Sequence, residues 1–243
     1  MLGGRALAPP TAGMCETCTI RHSAICGALK IEEVSALNAL ARRRALSAGE
    51  TYIMEGDAAL DFGIVSNGVA KLVRGAEDGR AQIVGLLFQS DFLGSTLGEE
   101  DGAVEPNTIE AVTDLELCLF SRDRFQSLMH RFPSLETRLL RRAFDELRFA
   151  REWMVLLGRK TAEERVASFL LHVARRVQSR GCHPQESFEI PLGRAEIADF
   201  VGLTIETVSR QMTRLRKDEI VVFEGTRQIV SIDRARLTER AGF

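Results

Sequence analysis

The chain of 243 residues is 45% hydrophobic and 27% charged, with a formal net charge of −2, a composition that fits one large or two modest globular domains. No stretch approaches the roughly 20 apolar residues of a membrane span, and residues 1–13 hold one Arg and two Pro without a long apolar core, which argues against a membrane protein and a conventionally secreted one. Divided at Pro133, the N-terminal part has 12 Lys+Arg against 18 Asp+Glu and the rest has 20 against 16, so the two halves carry −6 and +4. The basic half is therefore where a polyanionic partner is expected.

Residues 1–14 mix Gly, Ala and Pro without periodicity and are expected to be poorly ordered. Cys15, Cys18 and Cys26 follow as a C-x2-C-x7-C run. Disulfides are disfavoured in a reducing compartment, so this run points to metal or redox chemistry. Three local thiolates and one distant one would give four ligands, for Zn²⁺ or for a cluster, and spacing does not separate the two. From Gly49 to Gly102, recurrent glycines separate short apolar runs such as Tyr52-Ile53-Met54, Gly63-Ile64-Val65, Val69 to Val73 and Ile83 to Leu87. That pattern predicts a small antiparallel barrel or β-roll. Thr108 to Leu119 reads as its closing strand and contains Cys118, which taken alone suits a buried core thiol. Ser121 and Asp123 begin a helix towards Phe132.

After Pro133, Leu140, Ala143, Leu147, Ala150, Met154 and Leu157 step alternately by three and four, a heptad seam that predicts a dimer interface on a long helix ended by Gly158. Thr161-Ala162-Glu163-Glu164 fits a capping box opening the next helix. Residues 194–201 then read as a short helix, Gly202-Leu203-Thr204 as a tight turn and residues 205–217 as a second helix with Val208, Met212 and Leu215 inward, the arrangement of a helix-turn-helix. Glu206, Ser209, Arg210 and Thr213 share the opposite face, with Thr204 as N-cap. Arg suits guanine O6 and N7, Glu suits cytosine N4, and Arg214, Arg216 and Lys217 suit the phosphates of double-stranded DNA. An enzyme is not expected, since no His/Glu pair has metal-ligand spacing beside an evident base and no nucleophile motif occurs.

The fragment Leu203-Thr204-Ile205-Glu206-Thr207-Val208-Ser209-Arg210 resembles the recognition helix of the CRP/FNR superfamily of bacterial transcription factors, and its Glu-x-x-Ser-Arg triplet resembles the FNR branch. The resemblance covers nearly the whole chain. It implies an α+β fold: an N-terminal cysteine segment (1–30), a cyclic-nucleotide-binding-like β-roll (31–133), a long dimerisation helix (134–158) and a C-terminal winged helix-turn-helix (159–243), with Gln228 to Ile232 as a wing strand. It further implies a cytoplasmic homodimer that reads two-fold symmetric sites with TTGAT-type half-sites through Glu206, Ser209 and Arg210, and that touches RNA polymerase through loops of the roll.

For the sensor, the resemblance assigns Cys15, Cys18, Cys26 and Cys118 to an oxygen-labile [4Fe-4S] cluster. The seven residues between Cys18 and Cys26 exceed the five of enteric members. No cyclic nucleotide is expected, because the segment 103–108 offers no Arg for the phosphate and places Glu105 there. Haem has little support from four His and from Thr19, which stands where a covalent haem motif has His. Cys182 matches no ligand position. Nitric oxide sensing, thiol redox sensing and a zinc-binding regulator without a cluster remain alternatives on the same fold.

Overall fold

In the computed structural model, which describes residues 15–94, 103–178 and 187–242, the chain divides between Glu146 and Leu147 into two units. The segment expected to be poorly ordered, Gly98, Gly102 and Cys182 lie outside the described residues.

The first unit has a 3-10 turn at Ile25–Ala28, helix α1 (Ile31–Asn38), strands β1 (Arg42–Leu46), β2 (Thr51–Ile53), β3 (Asp61–Asn67), β4 (Ala70–Gly75), β5 (Ala81–Leu87), β6 (Phe92–Leu93), β7 (Thr108–Ala111) and β8 (Leu115–Ser121), and helix α2 (Arg122–Arg131). The strands form two antiparallel sheets, ordered β1-β8-β3-β6 and β2-β7-β4-β5. Their inner faces meet in one apolar cluster: Leu46, Val65, Leu115, Leu117 and Leu119 from one sheet, Tyr52, Ala70, Leu87 and Ile109 from the other.

Two features depart from the sequence reading. The expected single closing strand is two strands in different sheets. The amides of Val112 and Thr113 both donate to the Val69 carbonyl, so the chain leaves one ladder there and enters the other. Strand β1 was not foreseen, because Arg42-Arg43-Arg44 hides the alternation that its pairing with β8 imposes.

Alternation along β8 gives this strand two roles. Leu115, Leu117 and Leu119 fill the roll, whereas Glu116, Cys118 and Phe120 face outward. On that outer face, Phe62, Ile64 and Phe120 pack with Ile20, Ala24, Ile25 and Leu29 of the N-terminal segment, Val34 and Leu37 of α1, and Phe125, Leu128 and Met129 of α2. Phe62 stacks on Phe125 with ring centroids 4.3 Å apart.

Helix α3 (Pro133–Arg159) begins in the first unit and ends in the second. Gly158, expected to end it, lies inside its last turn; open space surrounds the position, where glycine costs about 1 kcal/mol relative to alanine but does not stop a helix.

The second unit continues with α4 (Ala162–Gln178), β9 (Phe188–Glu189), α5 (Arg194–Val201), α6 (Ile205–Lys217), β10 (Val221–Glu224), β11 (Gln228–Ile232) and α7 (Arg234–Arg240), its strands ordered β10-β11-β9. The capping box forms: Glu164 accepts from the Thr161 amide at 2.7 Å, and the Glu164 amide donates to the Thr161 hydroxyl. Val166, Phe169, Leu170 and Val173 of α4 are buried, as are Ile197, Phe200, Val208, Met212, Leu215 and Leu237 of α5 to α7. Among the described residues, no helix is long and apolar enough to cross a membrane.

Because Phe125 is fully buried between Phe62 and Phe120, Phe125→Ala is expected to destabilise the first unit by about 3–5 kcal/mol. Urea denaturation of the full chain checks this, and a loss below about 1 kcal/mol would contradict the packing described.

Candidate functional site

The structure brings the four predicted cysteines together. Cys15, Cys18, Cys26 and Cys118 line one pocket with Ile20, Arg21, Leu37, Ala41, Arg43, Ile64, Ser66 and Phe120. The sheet register places Cys118 between Arg43 on β1 and Ile64 on β3, and the N-terminal segment lies over this face through its own apolar residues. That segment is fastened at several points: the Cys15 amide donates to Asn38 Oδ1 at 3.2 Å, and the Ser23 and Ser90 hydroxyls are 2.6 Å apart. Arg138 on α3 donates to the His22 carbonyl at 2.7 Å and Arg142, one turn later, to the Ser23 carbonyl. Gly27 is required by closeness, because a Cβ there would lie 2.8 Å from the carbonyl oxygens of Arg21 and His22.

Burial pushes the thiols of Cys26 and Cys118 up to about 12, and the nearby thiols push the same way; Cys15 is raised for the same two reasons. A positive charge among the sulfurs would favour their thiolate forms. Arg21 supplies a donor with nowhere to go, since its Nε is buried on the wall of the pocket without a hydrogen-bond partner. Among the described residues, however, no group of three or more His, Cys, Asp or Glu side chains is drawn into metal-coordinating geometry. The thiols share a cavity without closing on a common centre.

The candidate nucleic-acid surface is built on α5 and α6. Residues 202–204 turn between them, with Gly202 at φ +63° and Leu203 N donating to Ala198 O, and Thr204 caps α6 by accepting from the Thr207 amide. Val208, Met212 and Leu215 anchor the inner face, leaving Glu206 and Arg210 exposed and Ser209 half-buried beside them. The backbone amide of Glu206 and then the Thr204 hydroxyl hold the Glu206 carboxyl below the usual carboxylate range, so it is an acceptor at neutral pH. Arg210 Nη2 lies 3.4 Å from the Thr207 hydroxyl.

Two of the predicted contacts are already engaged. The Thr213 hydroxyl donates to the Ser209 carbonyl at 2.8 Å, and Arg214 pairs with Glu163 on α4 at 2.9 Å. Glu163 also pairs with Arg240, which reaches Asp218 at 3.0 Å. Sequence reasoning missed Arg194 and Arg227. Arg194 lies over the Phe223 ring and donates to the Thr226 carbonyl, and it lines a pocket with Ser209, Met212, Thr213, Arg216, Phe223 and Gly225. Burial, then the nearby guanidinium groups of Arg216 and Arg227, lower its pKa. A basic residue in the first turn of the first helix of a helix-turn-helix was the signal available.

On α3, the heptad positions Leu140, Ala143, Leu147, Ala150 and Met154 are exposed, at 56%, 43% and 64% for Leu140, Leu147 and Met154. Phe144 and Val155, which the heptad reading omitted, are exposed too, whereas Leu157 is half-buried. In a single chain this is an unusually apolar solvent face.

A family described as the Crp-like helix-turn-helix domain matches residues 164–240, and the cyclic nucleotide-binding domain family matches residues 43–132. The chain is 44% identical to the transcriptional activator protein FnrL of Cereibacter sphaeroides over 94% of its length and 92% of that protein. The chain belongs to the CRP/FNR family. It is also 43% identical to a probable transcriptional activator of Rhizobium leguminosarum, over 90% of this chain and 89% of that one. The solved structure of FixK2 from Bradyrhizobium japonicum superposes with a TM-score of 0.73 at 33% identity, covering 82% of this chain and 96% of that one. The protein is a DNA-binding transcription regulator and not an enzyme.

Pairing of Arg214 with Glu163 leaves it less available to a phosphate. Glu163→Gln keeps the Arg240–Asp218 pair and is expected to tighten binding to DNA of any sequence roughly two- to fivefold. Equilibrium binding to a random duplex at fixed salt measures this; unchanged or weaker binding would contradict it.

Proposed function

We propose that this protein is an oxygen-responsive transcription activator of the FNR type, a cytoplasmic homodimer whose [4Fe-4S] cluster, held by Cys15, Cys18, Cys26 and Cys118, governs binding to symmetric TTGAT-type sites. The observation that carries the reading is the single pocket lined by all four cysteines, with the unpartnered Arg21 nitrogen on its wall. The donor set fits such a group: four thiols to ligate iron, Arg21 and Arg43 to offset anionic charge, and apolar Ile20, Leu37, Ile64 and Phe120 to limit water. When bound, an iron–sulfur cluster supplies sensitivity to oxygen. Likeness to FnrL supports the activator role.

The chain's own contacts supply the path from sensor to helix. The loop between Cys18 and Cys26 is tied to α3 by Arg138 and Arg142, so a shift of this loop pulls on the helix whose exposed face, Leu140, Ala143, Leu147, Ala150 and Met154 with half-buried Leu157, meets a second copy. On DNA, Arg210 pairs with the half-site guanine, Glu206 accepts from cytosine, Ser209 and Thr213 approach the adjacent edge, Thr204 fixes the helix start and Arg214 turns from Glu163 to a phosphate. RNA polymerase is met by loops of the roll. No cyclic nucleotide takes part, in keeping with buried Glu105, whose carboxylate would oppose a phosphate.

Cys118→Ala is expected to abolish bound iron and sulfide after anaerobic purification while circular dichroism stays unchanged; wild-type iron content would remove Cys118 from the ligand set, and zinc in a colourless wild-type protein would replace the cluster with a zinc site. Arg210→Ala is expected to lose about 1–3 kcal/mol of discrimination at the half-site guanine and to keep weak non-specific binding. Undiminished preference for that guanine in competition binding would refute direct readout.

A further inference from the structure

The last turn of α3 and the turn before the recognition helix are joined by one side chain. Arg165, in the first turn of α4, spends its guanidinium on four backbone carbonyls. Nε donates to Lys160 at 3.0 Å and Nη2 to Leu157 at 2.6 Å, both at the end of α3; Nη1 donates to Val201 at 3.1 Å and Gly202 at 3.2 Å, at the end of α5. Carbonyls at helix C-termini lack intrahelical partners and carry partial negative charge, so a planar cation shared between two such ends satisfies both at once. A lysine cannot reproduce this fork, since its donors radiate from one nitrogen.

The junction is reinforced around this group. Trp153 Nε1 on α3 lies 3.4 Å from the Phe200 carbonyl, and the Trp153 and Phe200 rings stack at 4.5 Å. Gly202 has φ +63°, and a Cβ there would sit 3.4 Å from Arg165 Nη1 and 3.5 Å from Leu157 Cδ2. Two residues further on, Thr204 caps α6. The guanidinium thus fixes where α6 starts relative to the end of α3.

We propose that Arg165 is the positioning residue that sets the half-site spacing this regulator accepts. The proposal rests on the dimer reading above. If Leu147, Ala150 and Met154 meet their counterparts in a second copy, the separation of the two recognition helices follows from how each is held to its own α3. Symmetric sites one helical turn apart convert that separation into a base-pair count. Arg165 is spent on backbone carbonyls at helix ends, so its loss is expected to loosen the separation without altering what each helix reads.

The test measures binding of wild type, Arg165→Gln and Arg165→Lys to symmetric duplexes with the preferred spacer, one base pair more and one fewer, and to a duplex with the half-site guanine replaced. Wild type is expected to disfavour the wrong spacers by about tenfold or more. In Arg165→Gln that ratio is expected to fall to about threefold or less, with guanine discrimination kept within about twofold. Arg165→Lys, which keeps the charge, is expected to fall between them and carries the test if the glutamine variant does not fold. A spacer ratio equal to wild type in a folded variant overturns the proposal, as does parallel loss of spacer and guanine discrimination, which would mean a damaged domain. A wild type indifferent to spacer length overturns the dimer reading and this proposal with it.

Discussion

Period-two alternation along β8 is the constraint on which the first unit depends. Leu115, Leu117 and Leu119 fill the roll, while Cys118 and Phe120 form the floor on which the N-terminal segment lies. A slip of one residue would put Cys118 into the roll and leucines under the cysteine segment, so the register that builds the core also delivers the fourth thiol. Pairing with β1 and β3 sets Arg43 and Ile64 on either side of it, one a cation and the other an apolar wall. The thiol pocket is consequently in part a product of the sheet, and its other three thiols come from a segment held down by Ile20, Ile25 and Leu29.

In both units, arginines join elements through backbone carbonyls. Arg138 and Arg142 hold consecutive carbonyls of the cysteine loop, and Arg165 holds carbonyls at two helix ends. Such contacts are directional and charge-assisted, so they transmit position better than apolar packing, which tolerates sliding. The recognition helix shows the complementary strategy. Its inner face is locked by Val208, Met212 and Leu215, and its outer face is left to exposed or half-buried polar side chains. Glu163, shared between Arg214 and Arg240, sets the basic potential at the end of that helix.

The second unit was the more legible in sequence. Thr204, Gly202 and the spacing of Val208, Met212 and Leu215 each have a local cause, and the observed helices end where those signals lie. The roll was legible in kind but not in detail. Glycines marked its turns, yet the crossing at Val112 to Asp114 depends on bonds to Val69, far away in sequence, and β1 depends on a partner strand that overrides three consecutive arginines. Cys15, Cys18 and Cys26 were legible in their spacing and Cys118 only through the resemblance, and their convergence needed the register of β8. Arg165, Arg194 and Glu163 were not legible, because what distinguishes each is which carbonyl, ring or guanidinium lies opposite after folding. On α3, the heptad steps identified Leu140 and Met154, but strict steps of three and four passed over Phe144 and Val155 on the same exposed helix.

The most direct measurement is a stepwise addition of oxygen to anaerobically purified wild-type protein, following the visible absorption of the proposed iron–sulfur centre and the affinity for the proposed symmetric TTGAT-type duplex in the same sample. Absorbance and DNA affinity are expected to fall together. Affinity that holds constant while the absorbance bleaches, or an anaerobic protein that contains no iron, would contradict it.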